Sequence, residues 1–286
     1  MMDTIVSIDC SPEVINALTG LLGEEVTLTS ESFENIHGLK DYRMIIIQGG
    51  IDQKEILKRI RKLRYACYFK NIPIILIKGQ GNSDSIEPYI TAGATEVLSL
   101  SDSPVACQQI LQGYLIPNRK PLEEEMEYIN SFAKNTCNVL KTVTSLEPSF
   151  QEVYFANDFK IFGDISGLIG LSGGSEGILG ITFYWPLAQT VIALMMGMDE
   201  EKINAELIHD GVAEIINMIS GSTKKEFVGK PYHFEISLPS VIVGGGHQIG
   251  HAENTPIAVL IFEVNFQYFA LQVCLKSKNN GRAHKG

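Results

Sequence analysis

The chain reads as an α/β domain followed by an α+β domain: a doubly wound unit on a parallel five-stranded sheet, then a unit with a mostly antiparallel sheet and long helices. Three observations predict this. Residues 1–115 alternate short apolar β-type runs with helical periodicity, the pattern of a parallel sheet covered on both faces. The run IPNRKP at 116–121 breaks both periodicities and marks a linker. Residues 122–276 set glycine-rich strand runs among long helices, and the basic, polar residues 277–286 form an expected disordered tail. A length of 286 residues suits two cores, at about 150 residues per domain.

In order, the first domain offers strands at Thr4 to Asp9, Val26 to Thr29, Met44 to Gln48, Ile72 to Lys78 and Glu96 to Ser99. Helical patterns fall at Val14 to Leu22, Ile51 to Phe69 and Pro104 to Leu115. The second domain opens with a helix from Leu122 to about Thr144, whose first turn holds Glu123, Glu124 and Glu125, where the helix dipole favours acids. Strands follow at Val153 to Phe155, Ile161 to Leu171 and Ile178 to Trp185, then a helix from Pro186 to Met196. A long helix spans Asn204 to Phe227, and strands near His233 to Leu238, Val241 to Val243, Ile257 to Val264 and Tyr268 to Leu275 close the chain.

Composition narrows the function classes. With 45% apolar and 20% charged residues the chain is an ordinary globular protein. A net charge of −10 opposes phosphate-backbone binding, and no Lys/Arg cluster counters it, so nucleic acid is not an expected partner. The start MMDTIVSIDC lacks a secretory signal pattern, and the longest apolar runs are too short to insert in a bilayer, so a cytoplasmic location is expected. Five widely spaced cysteines without C-x-x-C fit reduced thiols, with neither a zinc site nor a disulfide framework.

In a doubly wound sheet the site lies at the carboxyl ends of the strands, which makes Asp9, Gln48, Lys78 and Leu100 the residues to interrogate. Over essentially its whole length this domain resembles the receiver domain of bacterial response regulators. The alignment rests on DCSPE from Asp9, PIILIK ending at Lys78, and Gly93-Ala94. The resemblance implies an acidic pair for magnesium at Asp9 and Cys10, a phosphoacceptor aspartate at Gln48, a Ser/Thr at Lys78 and a lysine at Leu100; only Asp9 matches. A carboxamide at Gln48, the degenerate phosphoacceptor position, cannot form an acyl phosphate, and Leu100 cannot neutralise phosphoryl charge. A pseudo-receiver is expected.

The helix from Asn204 to Phe227 carries the chemistry. Ile208, Val212, Ile215 and Ile219 share one stripe at 100° per residue and should face the core. Asp210, Glu214, Asn217 and Gly221 cluster on the opposite face, with Glu214 and Asn217 neighbours at i,i+3. Gly221 would let a partner approach closely, at a cost in helix propensity. Acyl-phosphate hydrolysis has a loose transition state, and its main demand is a water held in line. A carboxamide supplies a donor and an acceptor to that water, while a nearby carboxylate can pair with a partner's cation and fix the docking register. The spacing E-x-x-N arises by chance roughly 0.7 times in a chain this long. A second copy, Glu127 to Asn130, lacks the following glycine and lies in an opening helical turn, where electrostatics account for its acid.

Around the first copy, EIINMISG from Glu214, GDISGLIG from Gly163 and SLPSVIVG from Ser237, with the closing apolar strands, resemble the CheX family of chemotaxis phosphatases (the CheC/CheX/FliY group) from about Leu122 to Lys276. The resemblance implies a protein-aspartyl-phosphate phosphatase that hydrolyses the phosphate of a CheY-type response regulator and speeds signal termination. It implies catalytic roles for Glu214, pairing with the partner's lysine, and for Asn217, orienting the attacking water, with Asp210 and Gly221 in the partner-binding face. It further implies that Mg2+ is held by the phosphorylated receiver, with no cofactor or metal on this chain, and that the CheX-like domain forms a homodimer through its sheets. The alternative is a non-catalytic adaptor binding receiver or flagellar-switch proteins through the same helix.

Other motifs are set aside. His247 and His251 are four apart, but their glycine-rich context gives no helix and no third metal ligand. Gly79-Gln80-Gly81 has Asp84 where a dinucleotide fingerprint needs glycine, and GGSEG at 173–177 reads as a hairpin turn.

Overall fold

The computed structural model describes residues 3–23, 25–35, 38–50, 52–67, 69–79, 85–100, 103–115, 119–156, 160–161, 163–230, 232–244, 247–248 and 257–277. The chain divides into two compact units, Met1–Pro117 and Asn118–Gly286. Linker residues 116–118 lie outside the described residues, as do 278–286 of the expected tail.

Unit 1 runs β1 (Asp3–Ile8), α1 (Pro12–Leu22), β2 (Val26–Glu31), β3 (Met44–Gln48), α2 (Gln53–Ala66), β4 (Ile74–Ile77), α3 (Glu87–Ala92), β5 (Glu96–Leu98) and α4 (Pro104–Leu115). All strand pairs are parallel, in the doubly wound order β2-β1-β3-β4-β5. Alternate strand residues feed two cores. Val6, Ile8, Ile45, Ile47 and Ile74 meet Ile56, Ile60 and Leu63 of α2 and Tyr89 of α3. Ile5, Met44, Ile46 and Ile75 meet Leu18 and Leu22 of α1 and Leu111 of α4. Burial on both faces is why these strands read as unbroken apolar runs. Helix α1 starts where Ser11 Oγ accepts the Val14 N–H at 3.4 Å and Pro12 opens the first turn.

Two details depart from the expected alternation. Helix α3 was not anticipated, because six residues complete fewer than two turns and show no periodicity. Between β2 and β3 the described residues hold two short 3-10 turns, Phe33–Asn35 and Leu39–Asp41.

Unit 2 runs α5 (Glu123–Thr144), β6 (Ser149–Ala156), β7 (Lys160–Ile161), β8 (Ile165–Ser172), β9 (Ser175–Phe183), α6 (Trp185–Met196), α7 (Ala205–Glu226), β10 (Glu235–Ile236), β11 (Ser240–Val243), β12 (His247–Gln248), β13 (Ile257–Val264) and β14 (Gln267–Ser277). The main sheet has the order β10-β8-β9-β14-β13-β6, with β11 also on β8, and every described pairing is antiparallel. Strand β14 extends to Ser277, paired with Ser175, so the expected tail starts one residue too early. The strand expected from Ile161 to Leu171 is two elements: β7 pairs with β12, and β8 joins the main sheet. Of the GGSEG segment, Gly173 and Gly174 form the turn between β8 and β9, with Gly173 at φ +110°, while Ser175 to Gly177 already belong to β9.

Helices α5, α6 and α7 cover one face of this sheet over a single core. Side chains of opposite parity point to the other face, where a buried polar chain crosses the strands. Ser166 and Thr182 hydroxyls meet at 2.6 Å, and Gln272 Nε2 donates to Thr182 Oγ1 at 3.2 Å. His247 Nδ1 donates to the Gly244 carbonyl at 2.7 Å, and its Nε2 lies 2.8 Å from the Ser166 hydroxyl.

In unit 1, buried Arg64 donates to the carbonyls of Gly93 (3.0 and 2.8 Å) and Ile72 (2.8 Å) and to Thr95 Oγ1 (3.0 Å), tying α2 to the α3–β5 turn. Arg64→Met strands those buried acceptors. It is expected to destabilise unit 1 by about 3 kcal/mol, read as an earlier urea transition for unit 1 with that of unit 2 unchanged.

Candidate functional site

Helix α7 begins where Asn204 Oδ1 accepts the Leu207 N–H at 2.9 Å, and Phe227 is its C-cap, as the sequence pattern predicted. The stripe Ile208, Val212, Ile215 and Ile219 is buried, joined by Ile216. Two glycines determine how deeply the helix sits. A Cβ on Gly167 of β8 would lie 3.0 Å from Val212 Cγ1 and 3.1 Å from the Val212 carbonyl oxygen. A Cβ on Gly211 would lie 2.4 Å from Ile192 Cδ1 of α6. The helix thus rests on bare backbone at β8 and meets α6 through its own bare backbone. Sequence reasoning missed both positions: a glycine reads equally as a turn, a bulge or a close approach until the partner surface is known.

On the outer face Asp210 and Glu214 are exposed, and Asn217 and Gly221 are half-buried. Glu214 and Asn217 stand one turn apart, with Cβ atoms about 5–6 Å apart by helix geometry. Among the described residues, the side chains of Asp210, Glu214 and Asn217 make no hydrogen bond or ion pair. The Asn217 backbone carbonyl accepts the Ser220 hydroxyl at 2.9 Å, a contact that does not involve its carboxamide. Nothing lies within 4 Å of a Cβ built on Gly221, so no contact within the described chain requires glycine there.

The second E-x-x-N differs in its surroundings. Glu127 pairs with Lys230 at 3.2 Å, and four residues beyond Asn130 stands Lys134, paired with Glu226 at 3.0 Å. Ser131 Oγ also donates to Glu226 at 2.6 Å, and these side chains line a shallow cavity of about 330 Å³ over Phe227. This acid has a partner within the same chain, in a surface ion pair. In the opening turn of α5, Glu125 accepts the Leu122 N–H at 2.8 Å and pairs with Arg119 at 2.6 Å, interactions that hold its carboxyl below the usual range against the opposing effect of burial. Helix α6 is likewise anchored, by Asp164 Oδ2 accepting the Trp185 N–H at 2.8 Å.

Among the described residues no three His, Cys, Asp or Glu side chains converge on a metal position. His247 lies in strand β12, and His251, Gln80, Gly81 and Asp84 are outside the described residues. All five cysteines are free; burial pushes the Cys10 and Cys67 thiols up to about 11. Gln48, at the end of β3, turns its Oε1 to the Ser11 N–H at 2.5 Å. No described helix is long and apolar enough to cross a membrane.

Residues 165–263, which include β8, β9, α6, α7 and all of β13 but Val264, match the family model for chemotaxis phosphatase CheX. Unit 2 carries a CheX-family domain. A curated relative, the CheY-P phosphatase CheX of Thermotoga maritima, is 29% identical over 118 residues, covering 41% of this chain and 75% of the relative. The solved CheX of Vibrio vulnificus is 33% identical, with 52% of this chain and 99% of that one covered and a TM-score of 0.48. A CheX–CheY–BeF3–Mg2+ complex from Borrelia burgdorferi is 20% identical to this chain, with 52% and 98% covered and a TM-score of 0.45.

Gly221 yields a prediction with two readouts. Gly221→Ala should raise thermal stability by about 0.5–1 kcal/mol, because alanine is the better helix former and space is open. The same variant should weaken binding to a helix-docking partner. By contrast, Gly211→Val forces α6 and α7 apart and should destabilise unit 2 by about 1–3 kcal/mol in a denaturant melt.

Proposed function

We propose that this chain is a protein phosphatase that hydrolyses the aspartyl phosphate of a phosphorylated CheY-type receiver, with Glu214 and Asn217 of α7 as its working pair. The observation that carries the reading is an unengaged carboxylate and carboxamide, one turn apart on an open face, on a helix seated rigidly in a CheX-family domain. The name of the Thermotoga maritima relative points to the same substrate.

In this reading Glu214 pairs with a lysine of the receiver and sets the register of docking. Asp210 extends the acidic face, and Gly221 lets the receiver backbone come close. The Asn217 carboxamide holds a water in line with the acyl oxygen. Water attacks phosphorus as the bond to the aspartyl oxygen breaks, releasing inorganic phosphate, a proton and a free carboxylate on the receiver. The receiver brings its own Mg2+, which neutralises phosphoryl charge; no cofactor resides on this chain. The amide stays neutral beside the phosphoryl oxygens, whereas a carboxylate there would repel them.

Unit 1 reads as a pseudo-receiver: its 2-1-3-4-5 parallel sheet is the order of that fold, while Gln48 stands where a phosphoacceptor would be. Unit 2 forms a homodimer through its sheet in this reading, and the chain works in the cytoplasm. No acyl-phosphate labelling of residues 1–115 is expected.

The test is magnesium-dependent phosphate release from an acyl-phosphorylated CheY-type receiver. The intact chain should accelerate release, and Asn217→Ala should lose about 10²- to 10³-fold in rate with binding retained. Glu214→Ala should act mainly through a raised KM. Binding without acceleration by the intact chain would overturn the phosphatase reading in favour of an adaptor.

A further inference from the structure

The ligand crevice of a 2-1-3-4-5 sheet opens outside the carboxyl ends of β1 and β3, where the strand order reverses. A receiver holds a divalent cation there. The residues of this chain do not fit one. Hard divalent cations demand about six oxygen ligands, with carboxylates foremost. At the end of β1 the described residues offer the Asp9 carboxylate, and both of its oxygens are engaged: Oδ1 accepts the Phe33 N–H at 3.2 Å, and Oδ2 meets Arg59 Nη1 at 2.6 Å. The Gln48 carboxamide oxygen is bound to the Ser11 N–H. Cys10 sits at the other acidic position as a neutral thiol directed at the Ile8 carbonyl.

Arg59 is held from several sides. Its Nε donates to Glu55 at 3.2 Å, and its guanidinium lies over the Phe33 ring, 4.8 Å from the centroid. The side chain is only 19% exposed and Asp9 31%. Asp9 itself adopts φ +48°, a left-handed conformation that aspartate visits more readily than most residues. Three segments distant in sequence, the β1 end, the turn after β2 and helix α2, are thereby joined through one guanidinium.

We propose that Arg59 is the resident cation of this crevice, a tethered guanidinium standing where a divalent metal would stand and holding unit 1 in a single, metal-independent arrangement. The assignment rests on the receiver reading of unit 1. A guanidinium is charged at every working pH and directs its charge through hydrogen bonds, so it occupies the Asp9 carboxylate without needing the ligand shell of a metal ion. Unit 1 is then a constant docking or spacing element, insensitive to magnesium and to phosphoryl donors.

The experiment uses Mn2+, titrated by electron paramagnetic resonance into the full chain and its variants, each checked for fold by circular dichroism. Restoring the second carboxylate alone, Gln48→Asp, should leave Mn2+ binding weak, because Arg59 still holds Asp9. Gln48→Asp combined with Arg59→Gln should create one site at least tenfold tighter. Equal affinity in the single and double variants would overturn the assignment. A measurement on the unmodified chain decides the matter should a variant not fold. The Arg59 guanidinium protons should show hindered rotation and slow exchange by nuclear magnetic resonance, with no change on adding magnesium. Free rotation, or a shift of these signals with magnesium, would overturn it. Failure of the pseudo-receiver reading shows separately, as acyl-phosphate labelling of unit 1.

Discussion

Everything about the candidate site depends on how α7 sits on β8. Between a helix and a sheet there is normally a layer of side chains from each; at Gly167 the sheet contributes none, and Val212 descends onto the strand backbone. Gly211 repeats the arrangement toward α6. Close seating leaves little room for the helix to roll or slide, since interiors are packed to crystal-like density. A rigid helix suits the proposed chemistry, which asks for no covalent help and much positioning, since a displacement of about 1 Å at a reacting centre is costly. The buried stripe and the open face are two sides of one requirement.

Much of this was legible in the sequence, for a physical reason. A helix that buries one face must repeat its apolar residues at 3.6, and α7 does so without interruption between an asparagine cap and Phe227. Strands β3 and β13 were bounded correctly because both faces are covered and the apolar run ends where burial ends. Elements whose existence comes from neighbours were not legible. Helix α3 is six residues long, β12 is two, and the exposed first half of β6, Ser149 to Gln151, carries no alternation to detect. The contact of Arg59 with Asp9 spans fifty positions and leaves no local trace. Pairing information of that kind lies in the fold alone.

The two E-x-x-N segments make the same point about sites. Their spacing is identical and uninformative; what separates them is the company each acid keeps. Glu127 is neutralised by Lys230 of the same chain, whereas Glu214 has no such partner among the described residues. An acid left solvated beside an amide, on a helix whose following glycine serves no internal contact, is the feature on which the proposed docking face rests.

The polar chain on the far face of the unit 2 sheet has a consequence of a different kind. Ser166, Thr182 and Gln272 belong to β8, β9 and β14, and His247 to a separate ribbon, so four positions spread over 106 residues must meet in one row. Apolar neighbours in a sheet can exchange partners with modest loss, because one methyl packs much like another. Buried hydroxyls cannot: a slip of two residues along any of these strands keeps the facing right yet strands a donor in a dry layer. The row therefore acts as an indexing mark. It admits one alignment of the three central strands and disqualifies the near misses, so the bare backbone at Gly167 arrives under Val212 and not beside it.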